Sequence, residues 1–336
     1  LGPNKELAQL SATLGREFSY ELLRAVAPPK ETSFETRLAH LVYSELLYQH
    51  GVPPQASYTF RHALVHELAY QSLLKKTRQH YHHHIAQTLA KQFPEIVEEN
   101  PEIMAHHCTE AGDFKDAVRF WLQSGKTAIQ RSANTDAVVH LKKALDTLKL
   151  LPESVMTAEY ELAIQAALGL ANMLSKGYAA PEVEKAYARA YSLCRMIGET
   201  QSTFPALCGL WEYYVVRAEL TTAEELANQL LNIAKQTSDP VLTYEAKRAM
   251  GGTLFWRGQL ENAYDYLNSG FESNAAGQAK RISTQTFVQD TEVANLSNTA
   301  CVLWLLGYPD KALEKGKLAV QLAESLSHPF SLAYAN

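Results

Sequence analysis

Two short stretches of this sequence come close to known catalytic signatures, and each lacks one required residue. Gly125-Lys126-Thr127 matches the end of a phosphate-binding loop, but the first glycine of that loop would stand at position 120, which is Phe120. His66-Glu67 opens a zinc-protease pattern, but Tyr70 stands where the second histidine ligand belongs. The sequence therefore predicts neither activity at these places, and Gly125 is expected to be a point of close contact between helices.

A histidine-rich stretch is the other feature with possible chemistry. His80 and His84 are four residues apart, share one helix face, and could hold Zn²⁺ or Ni²⁺ if a third group joined them. Lysines and an arginine precede them, which favours a solvated basic face instead. We therefore expect no metal and no other cofactor in this chain, with His80 and His84 as the weak metal candidates.

The composition limits the classes of protein that remain. The chain has 336 residues and a formal net charge of −5, which fits two domains and gives no overall reason to expect nucleic acid. Its four cysteines form no C-x-x-C pair, as in reduced cytosolic proteins. No apolar run approaches the roughly 20 residues that cross a bilayer. We predict a cytoplasmic protein without membrane contact, and the start at Leu1 suggests a piece of a longer chain.

Paired amphipathic segments dominate the rest of the sequence, most clearly between residues 204 and 271. Apolar residues there recur with helical spacing, and turns separate the segments. Equivalent alanines, Ala223 and Ala263, lie 40 residues apart, somewhat more than the ~34 residues of a tetratricopeptide repeat (TPR). Because one hairpin cannot bury its own apolar stripe, successive hairpins must stack. The pattern predicts a TPR-like α-solenoid over residues 113–336, and solenoids usually bind proteins.

The first 75 residues follow another pattern. Three short helices are expected between Lys5 and Glu45, followed by strand-like segments at 46–50 and 57–61 around a Gly-Pro turn. Three helices and a small β-hairpin are the outline of a winged helix. The predicted organisation is thus a mainly α protein with a winged-helix-like domain (1–75), connecting helices (76–112) and a TPR-like α-solenoid (113–336).

Longer motifs resemble a bacterial family of multidomain signalling ATPases. They are Leu14-Gly15-Arg16-Glu17-Phe18, Tyr58-Thr59-Phe60-Arg61-His62, Ala105-His106-His107, Lys176-Gly177-Tyr178-Ala179-Ala180-Pro181 and Leu306-Gly307-Tyr308-Pro309. Members of that family join a class III adenylate or guanylate cyclase to a STAND-type ATPase, a winged helix and tetratricopeptide repeats. The resemblance implies that this chain lies downstream of the ATPase module. The chain departs from the family around 275–286, which we expect to be an extended connection.

The same resemblance implies a role for one histidine. In STAND ATPases a winged-helix histidine commonly touches the β-phosphate of ADP bound in the neighbouring ATPase module. His62, with Arg61, stands at the matching place after the second predicted strand. We name His62 and Arg61 as candidate nucleotide-sensing residues; a helix N-terminal histidine bonded to nearby backbone is the alternative.

These observations favour a non-catalytic, regulatory protein-interaction region that couples partner binding on the solenoid to the upstream nucleotide-binding module. The expected partner is a protein, a peptide or a neighbouring domain of the same chain. Candidate groove residues on the first helices of the hairpins are Trp211, Tyr214, Arg217, Arg248 and Trp256. The alternative is a DNA-binding winged-helix regulator with a TPR sensor region. Residues 1–75 carry as many glutamates as basic residues, and phosphate neutralisation dominates DNA affinity, so nucleic acid is the weaker expectation.

Overall fold

The computed structural model describes residues 4–28, 33–198, 202–271, 290–327 and 329–336. Over these residues the chain is mainly helical and has one small sheet. It divides into two compact units, one formed by 1–124 with 142–152 and the other by 125–141 with 153–336. Among the described helices, none combines the length and apolarity needed to cross a bilayer. The predicted connection at 275–286 lies outside the described residues.

The first unit begins with four helices and a three-stranded antiparallel sheet. In chain order these elements are α1 (Lys5–Leu14), β1 (Glu17–Ser19), α2 (Tyr20–Val26), α3 (Phe34–Tyr43), β2 (Leu47–His50), β3 (Ser57–Phe60) and α4 (Ala63–Gln71). Strand β3 lies between β1 and β2, with Phe18 opposite Tyr58 and Leu47 opposite Phe60. These four side chains are buried. The hairpin expected from the sequence is present, and β1 adds a third strand to it.

Three further helices continue the first unit: α5 (Lys75–Gln92), α6 (Pro94–Glu99) and α7 (Pro101–Ala111). Helices α6 and α7 both begin with proline. Proline is favoured at the first helical position because an N–H group there has no partner within the helix, so its absence costs nothing. Gly112, with φ of 88°, ends α7 in the left-handed region. Helices α5 and α7 pack against each other along buried side chains that include Ile85, Leu89 and Ala105.

Two helices contribute residues to both units: α8 (Phe114–Gln130) and α9 (Asn134–Leu148). Within the second unit, Gly125 of α8 faces Leu141 of α9 so closely that an added Cβ would lie 2.5 Å from the Leu141 side chain. The triplet that mimics a phosphate loop is therefore a point of helix contact inside α8. Its backbone N–H groups are not available to a phosphate, because a helix interior uses them in its own hydrogen bonds.

The second unit continues as a series of helical hairpins. Its helices are α10 (Val155–Lys176), α11 (Pro181–Ile197), α12 (Thr203–Val216), α13 (Leu220–Thr237), α14 (Pro240–Trp256), α15 (Leu260–Phe271), α16 (Thr291–Leu305), α17 (Pro309–Leu326) and α18 (Pro329–Ala335). Each helix up to α17 packs on the next in order, and the first helices α10, α12, α14 and α16 also contact one another. The predicted stacking of hairpins is confirmed.

Small residues let the second helix of each hairpin approach its neighbours. The alanines Ala186, Ala223, Ala263 and Ala312, one on each of four second helices, are all buried. Glycines do the same on first helices: Tyr187 of α11 lies against Gly169 of α10 and Gly209 of α12. The core of this unit therefore depends on close helix contacts repeated from one hairpin to the next.

Candidate protein-interaction surface

Two of the five predicted groove residues belong to a buried charged cluster between α12 and α14. Arg248 donates from Nε to Glu245 Oε2 at 3.0 Å, and its Nη2 lies 3.6 Å from Glu212 Oε1. Its guanidinium lies 5.0 Å from the centre of the Trp211 ring. Trp211 Nε1 in turn donates to Thr253 Oγ1 at 2.8 Å. Trp211 and Arg248 are thus held inside the solenoid by polar partners, rather than presented to solvent.

Electrostatics keep the Arg248 guanidinium charged. Burial lowers the pKa of Arg248, but the carboxylates of Glu245 and Glu212 raise it by more, so the guanidinium stays protonated. Glu245 also accepts a hydrogen bond from the Thr291 hydroxyl of α16. The cluster thereby joins the first helices of three successive hairpins. Removing one member would leave a buried charge without its partner, which is much more costly than the intact cluster.

The other three predicted groove residues lie at the C-terminal ends of first helices. The Tyr214 hydroxyl donates to Glu184 Oε1 at 2.6 Å, and this hydrogen bond, with burial, raises the pKa of Tyr214 to about 12. Arg217 pairs with Glu219 at 2.8 Å and is exposed. Trp256 exposes 64% of its surface. The structure therefore separates the five residues into a buried pair and a more exposed set of three.

The candidate nucleotide-sensing residues follow β3 in the first unit. His62 precedes α4 in an extended conformation and is exposed. Arg61 forms an ion pair with Glu45, and its guanidinium lies 5.3 Å from the Tyr48 ring centre. The imidazole of His62 is open to solvent at the end of the sheet, where another molecule or domain could reach it. Its role as a nucleotide sensor stays a prediction.

His80 and His84 line a pocket of about 450 Å³ in the first unit, together with Glu6, Arg37 and Tyr81. Among the residues that the structure describes, no group of three or more His, Cys, Asp or Glu side chains could hold a metal ion. The pocket is bordered by residues of α1, α2, α3 and α5.

The histidines with strongly lowered pKa values are others, and their contact with each other was not predicted from the sequence. His82 Nδ1 lies 2.8 Å from His107 Nδ1, and His82 Nε2 lies 3.0 Å from the Tyr70 hydroxyl. Since that hydroxyl donates to Glu110 Oε2 at 3.1 Å, it accepts from Nε2–H of His82. His82 Nδ1 is then the acceptor for His107 Nδ1–H. This directed chain requires a neutral His82, because its Nδ1 accepts a hydrogen bond.

Burial is the main reason that the imidazoles of His82 and His107 are neutral. It lowers the pKa of His82 to about 3, with positive charge at His106 and Arg78 adding to the effect. Burial likewise places the pKa of His107 well below its usual value. A histidine repeat in the sequence cannot reveal this, because His82 and His107 are 25 residues apart and meet only when α5 packs on α7.

Comparison with known proteins gives a distant relative. No known family profile matches the chain. An uncharacterised protein of Rhizobium meliloti (strain 1021) is 24% identical over 341 aligned positions, which cover the whole of this chain and 33% of the relative. The chain thus spans about a third of the length of that relative.

Solved structures show the type of fold. A Rap protein complexed with competence and sporulation factor aligns with a TM-score of 0.52 and 13% identity, over 99% of this chain and 80% of that one. The Rap conjugation gene regulator of plasmid pLS20, in complex with the Phr* peptide, aligns with a TM-score of 0.51 and 13% identity, over 75% and 71%. A STAND protein with a tetratricopeptide repeat sensor from Pyrococcus horikoshii aligns at 0.45 with 13% identity, over 98% and 58%. The two Rap alignments, with the stacked hairpins, show that the fold is a helical repeat.

Proposed function

We propose that this chain is a regulatory, non-catalytic protein-interaction region whose solenoid binds a peptide or protein. The observation that carries the proposal is the stacking of hairpins whose first helices contact one another and end in exposed side chains. Such a repeat presents an extended surface without requiring a closed catalytic pocket. The two Rap proteins with this fold are complexed with competence and sporulation factor and with the Phr* peptide, which supports a peptide or protein ligand.

Residues 1–75 of the first unit are proposed to form a winged helix that connects the solenoid to an upstream nucleotide-binding module. Its element order, α1-β1-α2-α3-β2-β3, and the central position of β3 support this assignment. In this proposal the parent protein is a cytoplasmic signalling ATPase, with or without a cyclase, and ligand binding on the solenoid changes the state of the ATPase. The resemblance of the N-terminal motifs to those of multidomain signalling ATPases supports this proposed connection to an ATPase module.

The solenoid's binding role is tested by mixing this chain with the separately purified upstream region of the same polypeptide. Hydrogen exchange would be followed in both units with and without ADP. We expect slower exchange in the first helices or in the residues around His62 when the upstream region is present. Unchanged exchange throughout, together with no complex at micromolar concentration in analytical ultracentrifugation, would contradict an interaction within the parent protein.

The nucleotide-sensing role of His62 is tested in the full-length protein. His62→Ala should weaken ADP binding about tenfold, which corresponds to the loss of one charge-assisted hydrogen bond, and should raise basal ATPase activity. His50→Ala is the matched control, because His50 is also an exposed histidine at a strand end of the same sheet. Equal ADP affinity in the two variants and the wild type would show that His62 does not contact the nucleotide.

A further inference from the structure

The three successive turns after α12, α14 and α16 of the second unit share one backbone geometry. They follow Val216 of α12, Trp256 of α14 and Leu305 of α16. In each turn the N–H groups of the next three residues donate to carbonyl groups four, three and five residues earlier. The second residue of each turn has positive φ: Ala218 at 59°, Gly258 at 75° and Gly307 at 86°. The ends of these helices are therefore equivalent positions in successive repeats.

The residue that ends each of these helices is apolar and exposed. Val216 exposes 56% of its surface, Trp256 64% and Leu305 58%. We call these three residues the turn edge. Single exposed apolar residues are common on protein surfaces. Here, however, an exposed apolar residue recurs at the same position of successive hairpins, and contact with water gives no reason for that regularity.

Backbone geometry does not require an apolar residue there. The turn after α8 has the same three hydrogen bonds and a positive φ of 60° at Ser132, yet the helix before it ends in Gln130. A polar residue is thus compatible with this turn. Trp256 makes an edge-to-face contact with Phe255, with ring centres 5.1 Å apart, but more than half of the surface of each turn-edge residue stays exposed, which leaves room for another molecule to cover them.

Spacing and charge point to the kind of partner. The first helices α12, α14 and α16 contact one another, and contacting helices have axes about 8–10 Å apart. Residues seven apart on an α-helix rise by about 10.5 Å, so one helix could meet successive members of the turn edge. Arg217 and Arg257 directly follow Val216 and Trp256, and both are paired with glutamates at exposed or half-exposed positions. Ion pairs of that kind are weak and are readily exchanged for a partner's carboxylates.

We propose that the turn edge binds an amphipathic α-helix of a partner protein, with apolar residues seven apart and acidic residues beside them. This inference deepens the proposed function, on which it rests, by naming a surface and the chemistry of its partner. The apolar side chains of the helix cover Val216, Trp256 and Leu305, and its carboxylates pair with Arg217 and Arg257.

The test uses the whole chain and a fluorescein-labelled synthetic helix of about 20 residues, with leucine at every seventh position and glutamate beside each leucine. A second peptide carries lysine for glutamate, and a third is a scrambled version of the first. Binding is measured by fluorescence anisotropy. We expect the first peptide to bind at least about tenfold more tightly than either of the others, as the electrostatic and spacing arguments require.

Variants of the protein locate the site. Exchanging Val216, Trp256 and Leu305 together for serine should weaken binding of the first peptide at least about tenfold, and Trp256→Ser alone should account for most of the loss. Met196→Ser is the matched control, since Met196 is 64% exposed near the end of the second helix α11, and should leave affinity unchanged. Far-ultraviolet circular dichroism checks that each variant is folded.

Three results would overturn the proposal: no binding of the first peptide by the wild type, equal binding by the serine variant, or equal binding of the scrambled peptide. A concentration-dependent dimer that the serine substitutions abolish would also overturn it, because a second copy would then cover the turn edge. The proposed coupling to the upstream module fails separately, if the upstream region forms no complex with the chain and protects none of it from exchange.

Discussion

Replacing Gly209 by alanine should destabilise the protein, although alanine is the better helix former. A methyl group built on Gly209 would lie 2.4 Å from Cε2 of Tyr187, and one on Gly169 would lie 2.6 Å from the same atom. Tyr187 is buried between α10 and α12, so its ring has little room to move away. Atoms this close overlap so strongly that a small shift of the tyrosine side chain cannot relieve the steric clash. The structure therefore predicts overpacking at this position.

The expected size follows from two opposing effects. Overpacking a core typically costs about 1–3 kcal/mol, and replacing glycine within a helix contributes about 1 kcal/mol of stability. Because the contact with Tyr187 is so short, we expect the upper part of that range and a net loss of about 2 kcal/mol. With a denaturant slope of about 3 kcal/mol per molar urea, the unfolding midpoint should fall by about 0.7 M. Urea unfolding followed by circular dichroism measures this shift.

Gly316→Ala is the matched control. Gly316 lies within α17, and among the described residues no atom outside the backbone of that helix lies within 4 Å of an added methyl group. The control should therefore gain up to about 1 kcal/mol from helix propensity alone. If Gly209→Ala stabilises the protein as much as Gly316→Ala does, the argument from close packing is refuted. Adding Tyr187→Leu to Gly209→Ala should restore part of the lost stability, because leucine is smaller than the tyrosine ring.

Two further predictions concern buried polar groups. Arg248→Met should lower the free energy of unfolding by about 3–5 kcal/mol, since it leaves Glu212 and Glu245 buried without their cation, and urea unfolding should show this at pH 7. The histidine chain should make stability depend on pH. The folded-state pKa of His82 is about 3 and its ordinary value is 6.5, so the unfolded chain binds protons first, and stability present above pH 6.5 is lost as the pH falls towards 3. His82→Gln should flatten this dependence in urea titrations between pH 4 and 7, and an unchanged slope would contradict the assignment; burial acts on His107 in the same direction.

The repeat architecture could be predicted from the sequence because its contacts are mostly local. Each apolar stripe packs against a helix that is close in the chain, so the spacing of Leu226, Leu230 and Ala234 already contains the burial pattern that the structure shows. Strand β1 could not be predicted in the same way. Glu17–Ser19 has only three residues, too few for a period-two pattern, and its partner β3 lies 40 residues later.

For the candidate surface, too, the sequence predicted one part and the tertiary structure decided the other. The sequence by itself determined that Trp211, Arg248 and Trp256 lie on first helices, since helical periodicity places them there. Only the packed structure decided that Arg248 and Trp211 are enclosed with Glu212, while Trp256 points to solvent. Periodicity reports which side of a helix is apolar, but exposure depends on which neighbouring hairpin covers each turn of that helix. That information arises only when helices from different repeats meet.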